Sequence, residues 1–237
     1  MIHVQNLSYT YPDGTKALEG VSFSINTGCK AAILGPNGAG KSTLIRLLNG
    51  TMVGEGQIVI DSVEISKKTI SELHQKVGVV FQNPDDQLFC PTIFEDVAFG
   101  PLNLGLSERE ISMRVNEALQ EVGLTGYEQR SSFHLSFGER KSACLATVLA
   151  MKPLIYIFDE PSSNLDPFHR RRIIEFIQRL DKTVLVATHD LDLVLDTCTD
   201  ILLLNRGQLV TRGDLDMLKD RTLLQQNNLE LPFRYQK

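Results

Sequence analysis

Gly35-Pro36-Asn37-Gly38-Ala39-Gly40-Lys41-Ser42, followed by Thr43, is the stretch whose reading decides the fold. It fills every position of a Gly-x-x-x-x-Gly-Lys-Ser loop. It also lies between a short apolar run, Ala31 to Leu34, and residues Leu44, Ile45, Leu47 and Leu48 at helical spacing. Strand, loop and helix in that order are the context such a loop needs. The glycines let backbone N–H groups converge on phosphate oxygens, helped by the positive end of the following helix. Lys41 is expected to reach the β and γ phosphates, and the Ser42 hydroxyl to bind Mg²⁺.

Outward from the loop, two continuous apolar runs, Leu154 to Phe158 and Val184 to Ala187, read as strands buried on both faces of a parallel sheet. The first ends in Asp159-Glu160. A carboxylate at the carboxyl end of such a strand faces the crevice where these sheets bind ligands, so Asp159 is expected to hold Mg²⁺ through water. The adjacent Glu160 is placed to act as general base. The second run ends in Thr188-His189-Asp190, where His189 either contacts the γ-phosphate or is a structural histidine. Gln82 follows the strand Val77 to Phe81. Its amide oxygen can coordinate Mg²⁺ or water at a hinge; otherwise it is a polar loop residue.

The segment before the loop alternates, with the turn Pro12-Asp13-Gly14 between Ile2–Tyr9 and Val21–Ile25. From about Thr92 to Ala150 the pattern is helical, and Ser107 with Glu110 forms a capping box before Ile111, Val115 and Ala118. Asp166-Pro167 reads as N-cap and first helical residue, ahead of a buried stripe of Ile173, Ile174, Ile177 and Leu180. The run Arg170-Arg171-Arg172 fans around that helix and is expected to be mostly solvated. Residues from about Asp214 read as a short helix and a polar tail. The expected division of the single domain 1–237 is an α/β core (1–81 and 151–212), a helical insert (82–150) and a C-terminal helix and tail (213–237).

Of 237 residues, 42% are hydrophobic and 22% charged, as in an ordinary globular protein with an ample core. A net charge of -5 speaks against a general nucleic-acid binder. The four cysteines have no metal-type spacing and fit reduced thiols. No apolar segment is long enough to cross a bilayer, so work at a membrane would go through a partner.

Leu135-Ser136-Phe137-Gly138-Glu139 opens a helix before the acidic pair. A Ser-x-Gly turn there reads as a second phosphate-binding element, useful for reading a nucleotide held by another copy. Together with the loop, Gln82, Asp159-Glu160, Ser163-Asn164-Leu165-Asp166 and His189, this series resembles the nucleotide-binding domain of ATP-binding cassette (ABC) proteins over nearly the whole chain. The resemblance implies a P-loop NTPase core with a parallel sheet, an N-terminal antiparallel β subdomain and an inserted α-helical subdomain. It further implies a head-to-tail dimer sandwiching two ATP molecules with Mg²⁺, in which Ser136 and Gly138 meet the γ-phosphate on the other copy's Lys41. Asp166 would add a nucleotide-binding role across the dimer interface to its place as N-cap, and Tyr11, with Tyr9 as the alternative, would stack on adenine.

Phe81 to Phe89 and Glu95 to Leu104 are similar to the ATPases of energy-coupling factor importers for vitamins and cobalt or nickel ions, as is Leu229-Glu230-Leu231-Pro232. That narrower resemblance implies integral membrane subunits docking near Gln82–Leu104, a second ABC subunit in a homodimer or heterodimer, and a peripheral place on the cytoplasmic face of the cell membrane. No nucleic acid is expected. Departures from the family pattern are Phe137 for Gly, Glu139 for Gln, and Lys141-Ser142 for Gln-Arg. Glu139 is expected to face away from nucleotide. The rival readings are a soluble ABC ATPase acting on ribosomes or DNA, and a P-loop kinase or GTPase. Against the first, the chain has neither a second cassette nor a long coiled-coil insertion.

Overall fold

Period-two alternation in the apolar strands builds the centre of the molecule, a computed structural model describing residues 1–236. Lys237, the last residue of the expected tail, lies outside the described residues. The strands are β1 (Ile2–Thr10), β2 (Lys16–Ile25), β3 (Lys30–Leu34), β4 (Glu55–Ile60), β5 (Val63–Glu64), β6 (Val77–Val80), β7 (Ile155–Asp159), β8 (Thr183–Thr188), β9 (Asp200–Asn205) and β10 (Gln208–Gly213). The helices are α1 (Lys41–Leu48), α2 (Ile70–Lys76), α3 (Ile93–Asn103), α4 (Glu108–Glu121), α5 (Phe137–Met151), α6 (Pro167–Arg179), α7 (Leu191–Thr197) and α8 (Arg221–Gln226).

One sheet has the order β2-β1-β4-β5 and is antiparallel. The other has the order β10-β9-β3-β8-β7-β6, parallel except where β10 returns along β9. Ala31, Ile33, Ile155, Ile157, Leu185, Ala187, Leu202 and Leu204 point into a core shared with α1 and the antiparallel sheet. Their neighbours Ala32, Leu34, Tyr156, Phe158, Val184, Val186, Ile201 and Leu203 point into the core beneath the helices. Burial on both faces explains why these strands read as unbroken apolar runs. This is a mixed α/β fold, with one antiparallel and one largely parallel sheet.

The helical layer follows its sequence signals. Ser107 and Glu110 form a complete capping box at α4, and Thr92 with Glu95 does the same at α3. Asp166 caps α6, with Pro167 at its first turn, and Ile173, Ile174 and Ile177 are buried beneath it. Two expectations are corrected. Arg170 is not part of a solvated face: its guanidinium grips both oxygens of Asp190, while Arg171 pairs with Glu175 on the surface. The segment from Asp214 is not one helix but a 3-10 turn, Leu215–Lys219, then α8; Asp214 and Asp220 each cap their own turn and divide the two. The tail folds back on α7, where Asp192 accepts from the Phe233 amide and Asp196 pairs with Arg234.

Candidate active site

Strands β3, β8, β7 and β6 are neighbours and run parallel, with Leu34 beside Thr188, Asp159 beside Ala187, and Val80 beside Phe158. Their carboxyl ends therefore share one edge, and Gly35, His189, Glu160 and Gln82 all emerge there. That common edge, the usual ligand crevice of a parallel sheet, is what brings residues far apart in the sequence together.

The loop Gly35–Gly40 arches over this edge. Gly40 has φ +104, and a side chain there would place a Cβ 2.6 Å from the Ala17 carbonyl oxygen, so glycine is required. Helix α1 begins directly after it, with no side-chain cap and no acidic residue in its first turn. Its amide groups and positive dipole end are thus available to an anion. A cavity of about 410 Å³ runs along the loop, lined by Tyr11, Asn37, Gly38, Ala39, Gly40, Lys41, Ser42, Thr43, Gln82 and Glu160. Pro36 and Asn37 also border the neighbouring cavity that His189 lines. Tyr11 donates to or accepts from the Thr43 hydroxyl at 2.9 Å, and Tyr9 packs edge-on against it.

Lys41 is buried and donates to the Gly35 and Pro36 carbonyls at 2.7 and 3.1 Å. Its Nζ also lies 3.2 Å from Glu160 Oε1. Glu160 is the most constrained group of the site. Its backbone has φ +43, strained for a residue with a side chain, and its amide donates to Ala187. Oε2 accepts from the Thr188 hydroxyl at 3.0 Å, and Nδ1 of His189 lies 3.0 Å from Oε1. Three partners hold the carboxylate, which offsets both the strain and the burial.

Asp159 is buried, and its Oδ1 has no hydrogen-bond partner. Burial raises its carboxyl above the ordinary value; the Ser42 hydroxyl opposes that rise and the Glu160 charge adds to it. An orphaned carboxylate oxygen beside a hydroxyl fits Mg²⁺, which binds one or two protein oxygens and leaves its other positions to phosphate and water. No group of three or more His, Cys, Asp or Glu side chains able to hold a metal occurs among the described residues.

Ser136 caps α5. Its hydroxyl accepts from the Glu139 amide, while Glu139 accepts from the Ser136 amide at 2.8 Å and from the Tyr127 hydroxyl at 2.9 Å. Those bonds lower the Glu139 carboxyl below its ordinary value, the Ser136 backbone bond foremost. Within this chain Ser136, Gly138 and Asp166 do not line the loop cavity; Gly138 and Asp166 meet instead at His169. His169 was not singled out in the sequence, although its position three residues after the cap Asp166 is where a helical residue meets its N-cap. Its Nδ1 is 2.8 Å from Asp166 Oδ2, and its ring covers Gly138. The contacts of Lys141, Ser162 and the Arg170–Asp190 pair were not foreseen either, since each gains its partner only through the fold.

A P-loop crevice with a paired acid, a histidine and a glutamine at the strand ends defines a nucleotide-hydrolysing enzyme. Residues 18–163 match the family model for ABC transporters, and the chain belongs to that family: it is an ABC ATPase, built around an ATP-binding domain. It is 48% identical over 235 residues to the energy-coupling factor transporter ATP-binding protein EcfA of Carboxydothermus hydrogenoformans, covering 98% of this chain and 87% of that one. Among solved structures it is similar to CbiO1 of Clostridium perfringens, part of the ABC transporter complex cbiONQ, with TM-score 0.81 and 36% identity over 96% of this chain and 94% of that one. The ATP-binding cassette MJ0796, in a dimer bound to ADP and Pi, matches with TM-score 0.81 and 27% identity over 91% and 99% of the two chains.

Proposed function

We propose that this chain is the ATP-hydrolysing subunit of an energy-coupling factor-type importer, driving uptake of a cobalt or nickel ion or a vitamin through ATP-dependent closure of a dimer. The carrying observation is one surface. The groove beyond Gln82, about 530 Å³, is lined by Phe81, Phe89, Asp96, Phe99, Gly100 and Met151. Phe89, Phe99 and Leu102 expose 65%, 48% and 57% of their surfaces, a patch of the kind that marks a docking site. Asp96 Oδ1 accepts from the Phe89 and Cys90 amides, but its buried Oδ2 has no partner. A helix of an integral membrane subunit carrying apolar residues and one basic residue would fill this groove and satisfy that oxygen. None of the described helices is long and apolar enough to cross a membrane, so attachment through such a partner at the cytoplasmic face accords with the reading. The likeness to the energy-coupling factor transporter protein EcfA and to CbiO1 supports this transporter class.

In the proposed mechanism Lys41 and the α1 amides bind the phosphates of ATP, and Ser42 with Asp159 would hold Mg²⁺. The metal, when bound, would neutralise charge on the β and γ oxygens. A multiply charged phosphate competes with Glu160 for Lys41, now 3.2 Å away. Release of Oε1 leaves Glu160 free to take a proton from the attacking water, with His189 at its side to contact the γ-phosphate. Gln82, which lines the same cavity, would offer its amide oxygen to Mg²⁺ or to water from the hinge. Ser136 and Gly138 would close the site from a second subunit, identical or related, with Asp166 at the contact and Tyr11 against adenine.

Domain division follows the same reading: core 1–81 and 151–212, insert 82–150, and tail from 213. The test is affinity purification of the full chain from detergent-solubilised membranes. An integral membrane protein that co-purifies, and that is lost when Phe89 and Phe99 are replaced by Ser, supports docking. Recovery of the chain with ribosomes or DNA and without membrane protein would contradict it.

A further inference from the structure

Lys141 carries no role in the mechanism above, yet it is wholly buried, at 0% exposure, on the face of α5 that also buries Cys144 and Val148. Its Nζ donates to two consecutive peptide carbonyls, Phe81 at 2.6 Å and Gln82 at 2.9 Å. A leucine or methionine would fill such a position at less cost, because a buried ammonium loses its hydration. What an ammonium adds is donors directed at both sides of the Gln82 peptide unit.

The rest of the segment is tied to the same helix. Gln87 accepts from the Phe81 amide at 3.0 Å and donates to the Cys144 carbonyl at 2.9 Å and the Thr147 hydroxyl at 2.8 Å. Arg140 pairs with Asp85. The backbone on either side of Gln82 is thus anchored to α5, whose first turn begins at Ser136. Gln82 itself lines the loop cavity with Lys41 and Glu160.

We propose that Lys141 is a positioning residue: by holding the Phe81 and Gln82 carbonyls it aims the Gln82 side chain at the nucleotide site and makes Gln82 travel with the Ser136 turn when α5 moves. This rests on the assignment of Gln82 to the site. A rotation of the helical insert then alters both elements together, so the two phosphate-facing groups cannot engage out of step.

The test is steady-state Mg-ATP hydrolysis by the full chain carrying Lys141→Met, Gln82→Ala, or both. Lys141→Met is expected to lower kcat by about 10- to 100-fold, the cost of misplacing a group by about an ångström, with KM for ATP held within about threefold. In the Gln82→Ala background Lys141→Met should cost less than about threefold further, because residues acting as one unit do not add. Lys141→Leu, which likewise offers no donor to either carbonyl, should repeat the loss and stands in if the methionine variant does not fold. Unaltered kcat in both Lys141 variants, or the same loss with and without Gln82, overturns the proposal. Unaltered kcat in Gln82→Ala alone would instead remove the Gln82 assignment, and the proposal with it.

Discussion

Alanine at Gly138 tests how the Ser-x-Gly turn is built. An added Cβ would lie 2.5, 2.6 and 2.6 Å from Cγ, Cδ2 and Nδ1 of His169, distances at which the ring or the helix must move. The ring cannot swing freely, since Asp166 holds its Nδ1 at 2.8 Å and its backbone amide at 2.9 Å. Overpacking of this kind costs about 1–3 kcal/mol, here toward the upper end because the obstacle is pinned. Better helix propensity returns up to about 1 kcal/mol. The net loss is about 1–2 kcal/mol, or roughly 2–8 °C in thermal midpoint for a domain of this size. Thermal unfolding of Gly138→Ala, His169→Ala and the double variant reads this directly. In the His169→Ala background, Gly138→Ala should cost less than about 0.5 kcal/mol, because the obstacle is gone. Equal destabilisation in both backgrounds would refute the steric account. Hydrolysis should stay low in the double variant, since under the proposed mechanism the bare backbone at Gly138 must still approach a phosphate on the other subunit.

Three further outcomes follow from the charged groups. Asp159→Asn should abolish Mg-ATP turnover while leaving the thermal midpoint unchanged or higher. Burial raises the Asp159 carboxyl, so its protonation stabilises the fold below the ordinary carboxylate range, and that gain is lost as pH rises through the raised folded value. The variant's advantage should therefore be present at neutral pH and shrink on acidification, and a neutral-pH midpoint well below that of the native chain would contradict it. Lys141 gives the opposite pattern on the alkaline side. Burial pushes its ammonium down from 10.5 to about 8, against the opposing charges of Cys144, Asp159 and Glu160. Below pH 8 both folded and unfolded chains carry the proton and the burial cost is complete; between 8 and 10.5 the folded chain sheds it first. Stability relative to Lys141→Met should rise across that window by up to roughly 3 kcal/mol, and a flat difference would contradict it. Glu139→Gln keeps an acceptor for the Ser136 amide but loses the charge that strengthens it. Stability should fall by about 1 kcal/mol, and hydrolysis, measured at saturating ATP, should change only modestly.

The fold was legible where burial is two-sided or a cap is present. Unbroken apolar runs marked β3, β7 and β8, and Ser107, Asp166 and Gly35–Ser42 marked helix starts. The strands β9 and β10 were not singled out, although Ile201 to Leu204 is as apolar as its neighbours. Glu139, a departure from the family pattern, is held by Ser136 and by Tyr127, and the second partner is twelve positions away, beyond any local signal. Gln82, Asp159, Glu160 and His189 lie at or just beyond strand ends, where a polar residue breaks an apolar run and draws notice. Lys141, His169 and Arg170 sit inside helices. Their partners, Gln82, Gly138 and Asp190, are 59, 31 and 20 positions away, so no local pattern announces the contact. Lys141 did leave one trace, a charge within the helical stripe it shares with Cys144 and Val148.

The central claim is that Glu160 is the base of a site completed by a second subunit. Its most direct test is Glu160→Gln in Mg-ATP, with hydrolysis and molecular mass by light scattering read on the same sample. The account predicts that turnover is abolished and that mass doubles only when ATP is present. Undiminished hydrolysis, or a chain that remains monomeric at saturating ATP, would contradict it.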